Sequence, residues 1–246
     1  MEPETYRHMA AVEESHWWFK GRRRIVTAAL RRLLGDFNPD RRILELGCGV
    51  GGNLEMLSRF GRVDAVEPDA WAAGKSREKG CATVLQGALP DHLPGDLAPA
   101  YDLIAMLDVL EHIDDAPGAL AAIHGRIVSN GRLLFTVPAY PWMYGDHDRR
   151  HHHLRRYTRS TLRAELRGAG FDICFMGHFN LLLLPPAVLV RLAQRYTPFL
   201  KGDDEARGAT GPANAVLNAI FALEAPLAAR IPFPAGLSIL AVARPV

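Results

Sequence analysis

Residues 41–53, R-R-I-L-E-L-G-C-G-V-G-G-N, constrain this chain more than any other stretch. A short apolar run, Ile43 to Leu46, carries one acid, Glu45, and breaks at once into Gly47, Gly49, Gly51 and Gly52. An amphipathic run with Leu54, Met56, Leu57 and Phe60 follows. The pattern therefore changes from strand to helix across a glycine turn. Glycine is needed where the backbone takes positive φ or lets a ligand approach closely. The N–H groups that open a helix lack intrahelical partners and point at whatever lies over the turn.

A glycine turn alone is a weak signal, and E-x-G-x-G-x-G is not the dinucleotide spacing G-x-G-x-x-G. Two further stretches extend it. Val63 to Asp69 (V-D-A-V-E-P-D) reads as the next strand, and its Glu67 lies about twenty residues past the glycines, where a carboxylate can accept both ribose hydroxyls of a nucleoside. Tyr101 to His112 (Y-D-L-I-A-M-L-D-V-L-E-H) reads as a later strand with an acidic, histidine-bearing end. In this order and spacing the three stretches resemble the class I S-adenosylmethionine (SAM)-dependent methyltransferases over roughly residues 40–140. The resemblance implies a Rossmann-like, doubly wound α/β fold: a mostly parallel seven-stranded sheet with an antiparallel C-terminal strand. It implies S-adenosyl-L-methionine as cofactor, held by Glu45, Gly47, Cys48, Gly49, Gly51, Asn53, Glu67, Pro68, Gly87, Ala88, Leu107 and Asp108. An NAD(P) enzyme and a nucleotide-free α/β domain are the rival readings.

Length and composition set the frame. The 246 residues suit one elaborated domain. The expected layout is an N-terminal helical cap over 1–38, a cofactor-binding core over 39–177, a helical insertion over 178–234 and a last strand over 235–246. A net charge of +2 gives no argument for nucleic acid. The asparagine-proline-proline-aromatic motif of many nucleic-acid amino methyltransferases is absent after the fourth strand. Cys48, Cys81 and Cys174 are sparse and odd in number, which reads as reduced thiols and a cytoplasmic protein. The N-terminus has no apolar signal-peptide core, and no apolar run is long enough to span a bilayer.

Along the chain, Trp17, Trp18 and Phe19 precede a basic, amphipathic helix. They either staple that helix to the core or, as in proteins the chain resembles, cap the pocket and touch substrate. A helix over 69–79 and a strand over 81–85 follow. Gln86 to Leu89 offers no acid for an adenine amino group, so adenine recognition falls to Gln86 or the backbone near Ala88. Pro117 opens the next helix, read as running to Val128 and closed by Asn130-Gly131, with the fifth strand over 132–138.

Residues 139–163 combine Tyr140, Trp142 and Tyr144 with six arginines, Asp146, His147, Asp148 and the triple histidine His151–His153. Three readings stay open: a solvated loop, an anion-gripping substrate loop, or a metal site. Consecutive histidines cannot all point one way, so no metal is assigned. A strand over 171–176 comes next. Leu181 to Tyr196 and Val216 to Ala228 read as amphipathic helices joined by a polar linker over 202–214, and residues 237–244 read as the last strand. The apolar faces of the two helices need cover: the core itself, a greasy acceptor, a second copy (monomer or homodimer), or a membrane surface.

Methyl transfer asks for positioning and for removal of the acceptor's proton. The expected proton acceptors are His112, His147 and Tyr140; the expected substrate contacts are Trp17, Trp18, Tyr140, Trp142, Tyr144, His151, Arg155 and Arg156. The expected reaction is O-methylation of a small-molecule or lipid-linked sugar acceptor, with looser likeness to methyltransferases of bacterial glycolipid and polysaccharide assembly. N-, C- or S-methylation of another metabolite and a non-catalytic SAM-binding regulator are the alternatives.

Overall fold

The computed structural model describes residues 3–196 and 211–246. Seven strands form one sheet: β1 (Arg42–Leu46), β2 (Arg62–Glu67), β3 (Thr83–Gln86), β4 (Tyr101–Leu107), β5 (Ile127–Pro138), β6 (Phe171–Phe179) and β7 (Ser238–Pro245). Their spatial order is β3-β2-β1-β4-β5-β7-β6, with β7 antiparallel to both β5 and β6 and the other pairings parallel. The order reverses at β1, whose neighbours are β2 and β4. In an open α/β sheet that reversal opens a crevice beyond the carboxyl ends of the strands.

Both sheet faces are buried, so the central strands are nearly all apolar. Alternate residues face opposite sides. Ile43, Leu103, Ala105 and Leu107 pack with Ile25, Leu30, Leu57 and Phe221; Leu44, Leu46, Ile104 and Met106 pack with Leu120, Ile123, Leu162 and Tyr157. The first side is covered by α2 (Trp17–Leu34), α3 (Leu54–Ser58) and α4 (Ala70–Glu78), while α1 (Pro3–Val12) packs through Tyr6 with Val50 and Ala72. The second is covered by α5 (Ala116–His124) and α7 (Arg159–Gly168), with α6 (Asp146–Arg150) in the loop between β5 and α7. Two more helices, α8 (Leu184–Tyr196) and α9 (Gly211–Ala228), lie between β6 and β7 in sequence. The linker expected over 202–214 falls outside the described residues up to 210, and its last part opens α9.

α9 is fixed to α2. Phe221 is fully buried, and a Cβ on Gly21 would lie 2.0 Å from its ring, so glycine is what lets the helices approach. Asn214 accepts the N–H of Trp17 at 2.7 Å, and Glu224 receives the N–H groups of Leu181 and Leu182 at 2.9 and 2.6 Å. The opposite face of α9 leaves Val216 and Leu223 exposed, as α8 leaves Leu189.

Several elements differ from expectation. The helix opened by Pro117 ends at His124, with Gly125 as its cap, rather than at Val128. Asn130 and Gly131 lie inside β5, where the register against β4 shifts between Tyr101 and Leu103. The Asn-Gly signal thus marks an irregular strand, not a helix end. α1 has no counterpart in the sequence reading, which placed a helix only in the second half of residues 1–38.

Candidate functional site

Gly47, Gly49 and Gly51 take φ of 71°, 58° and 90°, the left-handed region that favours glycine. At Gly47 a Cβ would also lie 2.7 Å from Val109. Beneath the turn, Glu45 is buried and one oxygen accepts from Asn53 Nδ2 at 2.8 Å, while the other has no hydrogen-bond partner. Burial pushes the Glu45 carboxyl up to about 7, against the pull of Asn53 and Arg22. Arg22 reaches in from α2: it pairs with Asp108, approaches the Leu107 carbonyl and Asn53 Oδ1 at 3.4 Å each, and leaves Nε unpartnered. Glu45, Asn53, Arg22, Leu107 and Asp108 therefore meet where β1 and β4 end.

Glu67, at the end of β2, accepts three donors: the Tyr6 hydroxyl at 2.8 Å, the Gly49 N–H at 2.8 Å and the Asp69 N–H at 3.1 Å. Burial raises its carboxyl and these bonds oppose the rise. Tyr6 belongs to α1, which lies across the glycine turn. A Cβ on Gly49 would sit 3.5 Å from Met9 Sδ, and Glu13 occupies the space beside Gly52. Glu13 and Glu14 pair with Lys79 at 3.3 and 2.8 Å, which ties this cover to the end of α4. Near β3, Gln86 Nε2 donates to the Pro68 carbonyl at 3.1 Å and the Gly87 N–H to the Glu67 carbonyl at 3.2 Å. Ala88 exchanges both backbone hydrogen bonds with His92. Cys48 is buried, its thiol pushed up by burial and then by Glu45, so it is a small filler of the turn and not a thiolate.

On the other side of the β1–β4 junction the strand ends are strained. Asp108, Tyr140 and Asn180 follow β4, β5 and β6 with φ of 59°, 63° and 61°. Non-glycine residues held there cost roughly 1–3 kcal/mol each and gather at functional sites. A 3-10 turn, Leu110–His112, continues from Asp108. The segment after α6 is tied onto it by the Leu154 N–H, which donates to the Glu111 carbonyl, and is itself closed by the His153 N–H donating to the Asp148 carbonyl, both at 2.8 Å. Asp148 is fully buried and saturated, accepting from Arg156 Nε at 2.7 Å, His153 Nδ1 at 2.9 Å and the Gly145 N–H at 2.8 Å. Burial alone would raise its carboxyl; the bonds from His153 and Arg156 win and hold it well below the usual range.

His112 and His153 lie edge to face with centroids 4.7 Å apart, and His147 and His151 form a second pair at 4.6 Å. Burial, then His153, lowers His112 to about 4, so its ring is neutral near pH 7. Glu111 is fully buried, and neither carboxylate oxygen has a hydrogen-bond partner. Burial, then the Asp108 charge, raises it well above the ordinary range.

Tyr140 stacks on His178 at 5.5 Å, accepts the Gly236 N–H at 3.3 Å and lies 5.8 Å from Trp142, which is exposed. The Tyr144 hydroxyl donates to the His153 carbonyl at 2.7 Å, and Arg155 donates to the Asp114 carbonyl at 3.0 Å. Trp17 and Trp18 stand apart from this group: they pack on Phe221 at 5.8 and 5.6 Å, and Trp18 also stacks on Phe179. A separate cavity of about 570 Å³, lined in part by Arg132, Arg167, Asp172 and Arg244, opens at the other end of the sheet.

Tyr6 and Arg22 are site residues with no role in the sequence reading; Glu111 stands there only within the L-E-H run and His153 only within the triple histidine. The first two left a trace. Arg22 shares spacing i, i+3, i+4, i+7 with Ile25, Val26 and Ala29, a charge on a buried stripe; Tyr6, Met9 and Glu13 make a similar stripe on the segment that opens the chain.

Residues 18–174 match a family model described as a methyltransferase domain. The ubiquinone biosynthesis O-methyltransferase of Hahella chejuensis is 26% identical over 157 residues, 56% of this chain and 66% of that protein. A mitochondrial protein of the same name from Schizosaccharomyces pombe is 28% identical over 104 residues, 39% of this chain and 38% of that one. The aligned stretches thus span from about two fifths to just under two thirds of these relatives' length. Among solved structures, a putative methyltransferase of Haloferax volcanii, in complex with the Trm112 methyltransferase activator, superposes with TM-score 0.62 at 18% identity, covering 99% of this chain and 94% of that one.

Proposed function

This chain belongs to the methyltransferase-domain family and is a class I SAM-dependent methyltransferase; from that premise we propose that it methylates an oxygen of a small-molecule acceptor held over the ends of β4 and β5. The observation that carries this reading is the arrangement of the strand ends. A carboxylate that already accepts a hydroxyl proton (Glu67) and a glycine turn lie on one side, and neutral or aromatic proton acceptors lie on the other.

The residues fit the cofactor. Glu67 takes a hydroxyl donor from Tyr6, the same kind of group that a ribose offers. Arg22 carries a buried unpartnered Nε and Glu45 a buried unpartnered oxygen, one suited to a carboxylate and the other to an ammonium group. SAM, when bound, supplies a methyl group on positively charged sulfur for in-line displacement. The chain's own part is to orient and to take a proton. Gly47, Cys48, Gly49 and Gly51 let a ligand approach the backbone, Asn53, Leu107 and Asp108 border the same junction, and Pro68, Gly87 and Ala88 flank the far end. Tyr6 and α1 must yield Glu67 for a ribose to reach it. His112, His147 and Tyr140 are the proton-accepting groups at the acceptor end, with Trp142, Tyr144, His151, Arg155 and Arg156 around them.

Oxygen is favoured over nitrogen or carbon by relatives that are named O-methyltransferases. A lipid-linked acceptor is favoured by the exposed apolar residues of α8 and α9, which also suit contact with a membrane surface or a second copy of the chain. No helix among the described residues is long and apolar enough to cross a membrane, and a cytoplasmic location is proposed with that. Incubation with methyl-labelled SAM and a panel of hydroxylated, amino and prenylated acceptors, read by mass spectrometry, tests the reading. Labelled methyl ethers support it; label only on nitrogen, carbon or sulfur overturns the oxygen assignment.

A further inference from the structure

Glu111 is a fully buried carboxylate with no hydrogen-bond partner on either oxygen. Buried polar groups in folded proteins are paired in the great majority, so each exception asks for an explanation. Its neighbours supply one. One ligating atom each from Glu111, His112 and His153 lies within 4.8 Å of the others. The trio comes from two chain segments, the 3-10 turn after β4 and the loop after α6; the backbone hydrogen bond from Leu154 to Glu111 joins them, and the one from His153 to Asp148 shapes the loop.

The imidazoles are oriented. Asp148 also accepts from Arg156 and Gly145, and its carboxylate can only accept, so His153 Nδ1 is the donor in that bond and Nε2 is the nitrogen left to face a ligand. A histidine backed by a buried carboxylate is the usual outer arrangement of a metal ligand. His112 is fixed in turn by a hydrogen bond to the backbone of His152, and His152 itself has left-handed backbone at φ 56°.

We propose that Glu111, His112 and His153 form a binding site for a divalent transition-metal ion of the zinc or iron(II) class. Two imidazoles and one carboxylate suit these ions better than calcium or magnesium, which take oxygen ligands. Bonds of about 2.0–2.2 Å draw the three atoms together by roughly an ångström. Three protein ligands leave a further position open, as in sites that bind a small molecule at the metal. With His112 a ligand, His147 is left as the histidine that accepts the proton in methyl transfer. The site itself does not depend on SAM, and its test is independent of methyl transfer.

The full chain is stripped with a chelator and titrated with Co²⁺ alone, following the visible ligand-field bands, and then with Zn²⁺. The site predicts bands that saturate at one equivalent and that Zn²⁺ abolishes. His153→Ala and Glu111→Gln each lose them, whereas the double variant His147→Ala/His151→Ala keeps them. Circular dichroism checks each fold, and His153→Ala, on a loop, carries the test should Glu111→Gln unfold. Absence of bands in the unaltered protein, bands that survive in His153→Ala, or bands lost only in the outer-histidine variant overturn the proposal.

Discussion

Glu67 and Glu111 are both buried carboxylates at strand carboxyl ends, yet they live in opposite circumstances. Glu67 accepts three hydrogen bonds, two of them from backbone N–H groups and one from a tyrosine hydroxyl. Glu111 accepts none. Both carboxyls are raised by burial, but at Glu67 the donors oppose the rise while at Glu111 a neighbouring Asp108 adds to it. The contrast separates two kinds of site. One end of the strand row is a finished acceptor for hydroxyl groups, lidded by α1. The other holds a carboxyl that burial and Asp108 raise against the opposing charges of Arg22 and Arg156, with no hydrogen bond to either oxygen, beside two oriented imidazoles.

The largest effect expected is at the finished end. Glu67→Ala removes a carboxylate that would accept two ribose hydroxyls; at about 1.5–3 kcal/mol per hydrogen bond to a charged group, SAM affinity falls roughly 100-fold or more in calorimetric titration. Unchanged affinity would mean that Glu67 serves only to hold Tyr6. Next comes Glu45, raised from an ordinary 4.5 to about 7. Its folded pKa lies above its unfolded one, so its contribution to stability is fully present below about 4.5 and is lost as pH rises through 7. Denaturant titrations across that window should show the unaltered protein losing up to about 3 kcal/mol relative to Glu45→Gln; parallel curves would contradict the burial argument.

At the unfinished end the sign reverses. In chelator-stripped protein at neutral pH, Glu111→Gln removes an uncompensated carboxyl and raises stability by about 1–3 kcal/mol, where Glu67→Gln does not. A loss of stability in Glu111→Gln would erase the contrast between the two carboxylates. The smallest effect belongs to the lid. Tyr6→Phe takes away the hydroxyl that occupies Glu67, and SAM should bind a few-fold more tightly, on the order of 1 kcal/mol for one released hydrogen bond. Weaker binding would instead make Tyr6 part of the ligand's own contact surface.

The finished end was legible in the sequence because its chemistry is local. Gly47, Gly49 and Gly51 sit where a strand turns into a helix, and Glu67 ends the very next strand, so period and spacing alone bring them together. β7 was legible too, as a last apolar run after the insertion. The unfinished end was not. His153 is brought to Glu111 by one backbone hydrogen bond, from Leu154, between segments about forty residues apart, and which of three consecutive histidines faces inward depends on the left-handed turn at His152. The metal reading of residues 146–153 stays within one loop, whereas the groups the structure sets beside His153 are Glu111 and His112 of the L-E-H run after β4. Trp17 and Trp18 kept both readings open because their spacing fits a helix stripe and a cap alike; their packing on Phe221 depends on Gly21, a contact 200 residues apart in the chain.

Calorimetric titration of the purified protein with SAM and with S-adenosylhomocysteine, with NAD as control, tests the central claim most directly. The account predicts one site that binds both sulfur ligands at micromolar concentration and leaves NAD unbound. Binding of NAD in place of the sulfur ligands would contradict it.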